Sequence, residues 1–136
     1  MEYTQLRNRN RGYMKLEVWQ TSIELHKLVW KLVYQEIKLD YKLRSQIADA
    51  AQSVSGNIAE GYSRRSIREY LQHLYIALGS LSELLTRIIG LKVIEQITES
   101  QFSQIDLLHY EVENKLLNLV RSLESKKDQG EWNERV

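Results

Sequence analysis

Ile67, Leu71, Leu74, Leu78, Leu81, Leu85 and Ile88 follow one another in steps of 4, 3, 4, 3, 4 and 3 residues. Side chains of a strand alternate with a period of two, so a strand cannot use this spacing. On a helix the same residues form one strict a/d seam, which favours packing at the shallow crossing angle of helical bundles. Little in the rest of the chain interrupts a helix. Its 136 residues include no proline and only six glycines, and they suffice for one domain with a substantial core.

The spacing predicts four helices. The first covers 16–38, with Leu16, Trp19, Ile23, His26, Trp30, Val33 and Ile37 on one stripe. Val18, Leu25, Val29 and Leu32 form a second stripe, and a helix apolar on two faces has more than one neighbour. Asp40 is placed to cap the second helix, over 41–62, whose stripe is Leu43, Ile47, Ala50, Ala51, Val54 and Ile58. Gly61 offers the left-handed conformation that ends it. Ser66 with Glu69 reads as a capping box opening the third helix, over 67–91. Thr98 with Gln101 opens the fourth, over 99–124, with Phe102, Ile105, His109, Val112, Leu116, Leu119 and Leu123 inward. Short links make this an all-α, up-down-up-down antiparallel four-helix bundle over 16–124. A flexible basic arm, 1–15, precedes it and a polar tail, 125–136, follows.

Two features point to self-association. Tyr70, Ala77, Leu84 and Leu91 widen the apolar surface of the third helix beyond one seam, and the first helix has its twin stripes; Ala77 and Gly79 suit close packing on a neighbouring helix of the bundle. An apolar face wider than a core requires is often an oligomer contact, so a cyclic homo-oligomer is expected. Asn57, Ser80 and Glu83, near the helix seams, are suited to satisfying buried hydrogen bonds and setting register.

The absence of cysteine excludes disulfides and thiolate metal sites and fits a reducing cytoplasm. No secretory pattern occurs near Met1, and no apolar stretch reads as a membrane span. His26, His73 and His109 share no metal-ligand spacing, and the Glu-x-x-His of di-iron bundles does not occur. His73 follows Glu69 by four residues, which reads as a surface pair; His26 and His109 lie on apolar stripes as hydrogen-bonded core residues. No nucleophile elbow or phosphate loop is readable. The expectation is a non-enzymatic protein with no cofactor and no metal.

The net charge of +1 conceals an asymmetry. Residues 1–94 hold 14 Lys and Arg against 9 Asp and Glu, and residues 95–136 hold 5 against 9. The bundle topology collects Arg7, Arg9, Arg11, Lys15, Arg64, Arg65, Arg68, Arg121, Lys126 and Lys127 at one pole. Of these, Arg7, Arg9, Arg11, Arg64, Arg65 and Arg68 are the candidate nucleic-acid contacts, with Tyr3, Tyr13 and Tyr62 near enough to stack on bases. The plainer alternative is a solvated turn in which Glu60 and Glu69 pair locally.

Several segments carry a family resemblance: Leu16-Glu17-Val18-Trp19-Gln20; Leu43 with Gln46-Ile47; Ala50-Ala51 with Ser53-Val54; Asn57-Ile58-Ala59-Glu60-Gly61 with Ser63-Arg64; and Ile76-Ala77-Leu78-Gly79-Ser80 with Glu83-Leu84. Together they resemble the four-helix-bundle family encoded in intervening sequences of bacterial large-subunit ribosomal RNA genes. The chain is also similar to the accessory variability determinant of diversity-generating retroelements. Within that pattern Asn57, Glu60, Gly61, Gly79, Ser80 and Glu83 are structural motif residues. The family usually has basic residues just before the second-helix alanines, where this chain has Ala48-Asp49. The resemblance implies a homopentamer without catalysis, associated with RNA or DNA and, in the retroelement relatives, with a reverse transcriptase. A protein-interaction scaffold with no nucleic-acid role is the alternative.

Overall fold

The structure is a computed structural model that describes residues 12–130. Arg7, Arg9, Arg11 and Tyr3, and the end of the polar tail, lie outside the described residues. Four helices are present: α1 (Glu17–Lys31), α2 (Tyr41–Tyr62), α3 (Ile67–Val93) and α4 (Glu99–Asp128). There is no strand among the described residues. Each helix packs on the next in the chain, and α4 closes onto α1. Part of the expected arm is structured, since Gly12–Lys15 form a 3₁₀ turn from which Tyr13 meets Trp19 edge to face. The tail contributes one more turn of α4, to Asp128.

Helix starts follow the sequence closely. Asp40 accepts the Lys42 amide at 2.8 Å. Thr98 and Gln101 form a complete capping box, with bonds of 3.1 and 2.9 Å. Ser66 accepts the Glu69 amide at 3.2 Å, but the returning bond from the Glu69 side chain is absent, so that box is half made. Helix ends differ from expectation. Gly61 stays inside α2, which closes on Ser63. Left-handed residues follow α3 and α4 instead, at Glu95 (φ 61) and Gly130 (φ 68), and after α3 Gln96 N–H donates back to the Leu91 carbonyl at 2.9 Å.

The end of α1 winds differently from a regular helix. Leu32–Glu36 form a π-turn, in which Ile37 N–H donates to the Leu32 carbonyl five residues back. The core face of α1 is the second stripe, with Val18, Leu25, Val29 and Leu32 buried. Of the first stripe only Trp19 and Val33 are buried; Trp30 is 42% exposed, and Leu16, Ile23, His26 and Ile37 are half-buried.

α3 buries two seams. Ile67, Leu71, Leu74, Leu81 and Ile88 are buried as expected, while Leu78 and Leu85 are half-buried. Tyr70, Ala77, Leu84 and Leu91, expected at an oligomer contact, are buried within the single chain. A middle helix of a bundle has a neighbour on each side, and the extra apolar face serves the second one. Each large side chain so enclosed stabilises the fold by about 1.5–3 kcal/mol. Gly79 is the opposite case. A Cβ there would meet nothing within 4 Å, so it faces open space and not the backbone of a neighbouring helix. The close approach occurs at Gly61, where a Cβ would stand 2.8 Å from His73 Cβ and 3.1 Å from the Tyr70 carbonyl oxygen.

Contrary to the expectation that no apolar stretch is long enough, α3 is long and apolar enough to cross a membrane by length and composition; its buried seams serve the bundle. On α2, Ile47, Ala50, Ala51, Val54 and Ile58 are buried as expected, but Leu43 lies exposed in a cleft with Ile94. On α4, His109 is a hydrogen-bonded core residue, donating from Nε2 to the Leu81 carbonyl at 2.7 Å. His26 is not: its Nδ1 is enclosed without a partner among the described residues, and burial pulls its pKa below the usual histidine value.

Candidate functional site

Of the family-motif residues, Asn57, Glu60, Gly61 and Ser80 lie along the groove between α2 and α3, which is crossed by three rungs. Arg87 Nη1 donates to Gln46 Oε1 at 3.1 Å. Ser80 Oγ donates to Ser53 Oγ at 2.8 Å. His73 Nδ1 lies 3.9 Å from Glu60 Oε2. On each helix these rungs are seven residues apart, so one groove receives all three. Asn57 links two of them. Its amide nitrogen donates to the Ser53 carbonyl at 2.8 Å and to Ser53 Oγ at 3.0 Å. Its amide oxygen faces His73 Nδ1 at 3.1 Å. An amide oxygen only accepts, so His73 donates from Nδ1. Glu60 passes the chain on to Arg64, whose Nη2 donates at 2.9 Å, and Glu83 is held by Arg87 Nε at 3.0 Å.

Asn57 and Ser80 lie in the α2–α3 seam with contacts across it, whereas Glu83, expected there too, is exposed and pairs only with Arg87 on its own helix. Gln46, Ser53, His73 and Arg87 were missed as their partners. The carboxylate nearest His73 is Glu60 on the facing helix and not Glu69 on its own. The readable signal was the repeat itself, since Gln46, Ser53 and Glu60, like His73, Ser80 and Arg87, step by seven. No group of three or more His, Cys, Asp or Glu is placed to hold a metal ion among the described residues.

The second part of the site is the α2–α3 turn. Glu60 neutralises Arg64, as the plainer reading expects. Arg65 and Arg68 are exposed and have no ion-pair partner among the described residues. Arg68 shares a shallow cleft with Leu71, Gln72, Tyr75 and Lys127, so the start of α3 and the end of α4 do bring their cations together. Tyr75 donates its hydroxyl to Glu124, which occupies one of the acidic groups beside that cleft and raises the Tyr75 pKa.

On α3 the side facing away from α2 and α4 is also informative. Ile76, Gly79, Glu83, Thr86, Gly90 and Val93 lie along it in steps of 3, 4, 3, 4 and 3. Ile76 and Val93 are 50% and 73% exposed. One charge, Glu83, falls in this second seam.

The fold recurs in a solved structure, described as a protein of unknown function from the S23 ribosomal protein family from Bacteroides thetaiotaomicron VPI-5482. That structure is 23% identical, with a TM-score of 0.71, and the match covers 76% of this chain and 95% of that one. No curated protein matches the chain. The model of the 23S rRNA-intervening sequence protein family matches residues 14–118, from the 3₁₀ turn through most of α4 and across the whole α2–α3 groove. The chain therefore belongs to the 23S rRNA-intervening sequence protein family.

Proposed function

We propose that this protein is a non-enzymatic, RNA-associated adaptor that works as a cyclic oligomer and grips phosphates with the basic end of the bundle. The observation that supports phosphate binding is the exposure of Arg65 and Arg68 without ion-pair partners among the described residues, with Arg68 beside Lys127 in one cleft. A guanidinium presents paired donors that match phosphate geometry. The hydroxyls of Ser53 and Ser80 engage each other and an amide, an arrangement that fixes helices and does not prepare a nucleophile.

The test is a filter-binding titration of a structured RNA at two salt concentrations. Wild-type binding is expected to weaken steeply with salt, because phosphate contacts release counterions. Replacing Arg64, Arg65 and Arg68 with Gln is expected to weaken binding and reduce the log–log salt slope by about 2, without changing the circular dichroism. No wild-type binding at low salt, or an unchanged triple variant, overturns the RNA reading.

The exposed seam of α3, with Glu83 its one charge, supports assembly, and family resemblance suggests five copies. It also favours the alternative, a protein-interaction scaffold without a nucleic-acid role. Gly79 lies on this seam with no neighbour in its own chain. Gly79→Leu is therefore expected to keep or raise subunit stability, since leucine favours a helix over glycine by somewhat under ~1 kcal/mol. The same change is expected to lower the mass measured by light scattering towards the 16.1 kDa chain. An assembly that keeps its mass after Gly79→Leu removes this face from the interface.

A further inference from the structure

At the end of the bundle opposite the α2–α3 turn, four side chains form a continuous stack. The Trp30 and Tyr34 rings lie face to face, with centroids 4.9 Å apart and planes 23° from parallel. The Arg44 guanidinium sits over the Tyr34 ring at 5.1 Å and near the Tyr41 ring at 5.7 Å. The outer members are open to solvent, Trp30 at 42% and Tyr41 at 72%. Large aromatic rings cost free energy to leave in water, and here they are held in line by two separate helices. The π-turn falls within the stack and carries Tyr34. Arg44 Nε is enclosed without a hydrogen-bond partner, so a donor beside the rings is still unmet.

The surroundings indicate the occupant. Lys27 and Lys31 are exposed on α1, three residues before Trp30 and Tyr34, which places each beside a ring. Lys38 and Lys42 are exposed where the chain enters α2. None of the four has an ion-pair partner among the described residues. With Arg44 they outnumber the nearby Glu24, Glu36 and Asp40, and Asp40 already accepts an amide as a helix cap. A second copy docked symmetrically here would set cations against cations. A polyanion carrying flat apolar groups satisfies both the charges and the rings.

We infer that this end of the bundle is a stacking platform for the unpaired bases of single-stranded RNA. Trp30 and Tyr41 present the ring faces, and the surrounding lysines contact the phosphates. Base–aromatic stacking is tolerant of sequence because every base has a π-face. The inference rests on the RNA reading above and adds a second contact region and a preference for unpaired strands.

The experiment compares a 12-nucleotide oligoadenylate with a 12-base-pair RNA duplex in binding to the full chain. Trp30→Ala and Tyr41→Ala are each expected to weaken oligoadenylate binding roughly tenfold while leaving the salt slope and duplex binding unchanged. Tyr41, the more exposed ring, guards against a folding defect in the Trp30 variant. Oligoadenylate binding unaffected by either change, while the arginine triple variant still weakens both ligands, overturns the platform and leaves the RNA reading standing. Binding of neither RNA by wild type overturns both. A fall in oligomer mass in Trp30→Ala or Tyr41→Ala also overturns the platform, by making this end a contact between copies.

Discussion

Leu84→Asp is expected to unfold the subunit. Leu84 is completely buried between α3 and its neighbours, and an aspartate there has no partner to offset its lost hydration. Such a substitution costs about 4 kcal/mol or more, a large part of the 5–15 kcal/mol that holds a domain of this size. Circular dichroism and urea unfolding measure it. The result separates two readings of one residue. If Leu84 belonged to an oligomer face, as its spacing alone suggests, the variant would stay helical and lose only its assembly. A helical, stable Leu84→Asp monomer contradicts the packing of α3 described above.

Gly61→Val carries the second large effect. The new Cβ would stand 2.8 Å from His73 Cβ and 3.1 Å from the Tyr70 carbonyl oxygen, and a backbone atom cannot swing aside. The helices must separate there, at a cost of roughly 1–3 kcal/mol for overpacking. Separation also pulls His73 from Asn57 and Glu60, so the loss should exceed that of an overpacked apolar site. Thermal melts of Gly61→Val beside Gly79→Val measure the contrast: the first should lose stability and the second should not. Equal effects at the two glycines contradict the close crossing at Gly61.

The comparison of these residues shows what the sequence makes legible. Spacing along one helix is visible, so the four helices, the three caps and most of the α3 seam could be read directly. Spacing cannot say how many neighbours a helix has, and this is why Tyr70, Ala77, Leu84 and Leu91 were assigned to the outside. Glycine is equally ambiguous. Gly61, Gly79 and Gly56 all sit in helices, and only the third dimension tells a contact from open space. The candidate site residues divide the same way. The exposure of Arg65 and Arg68 was legible because a turn exposes its charges. His73 was misassigned because its partners are on another helix, and the Trp30–Tyr34–Arg44–Tyr41 stack was missed because Trp30 read as a core residue and its partners lie beyond α1, on the π-turn and on α2.

The π-turn at Leu32–Glu36 holds five residues where a regular turn needs fewer. It therefore stores a surplus of chain inside an element that cannot otherwise change length without rotating its whole apolar face. Deleting one residue there would return the segment to ordinary winding and leave Glu17–Lys31 and the α2–α4 frame in place. Chain length in this family member is thus adjustable at the end of α1, and what such a change would alter is the direction in which the side chain at position 34 points.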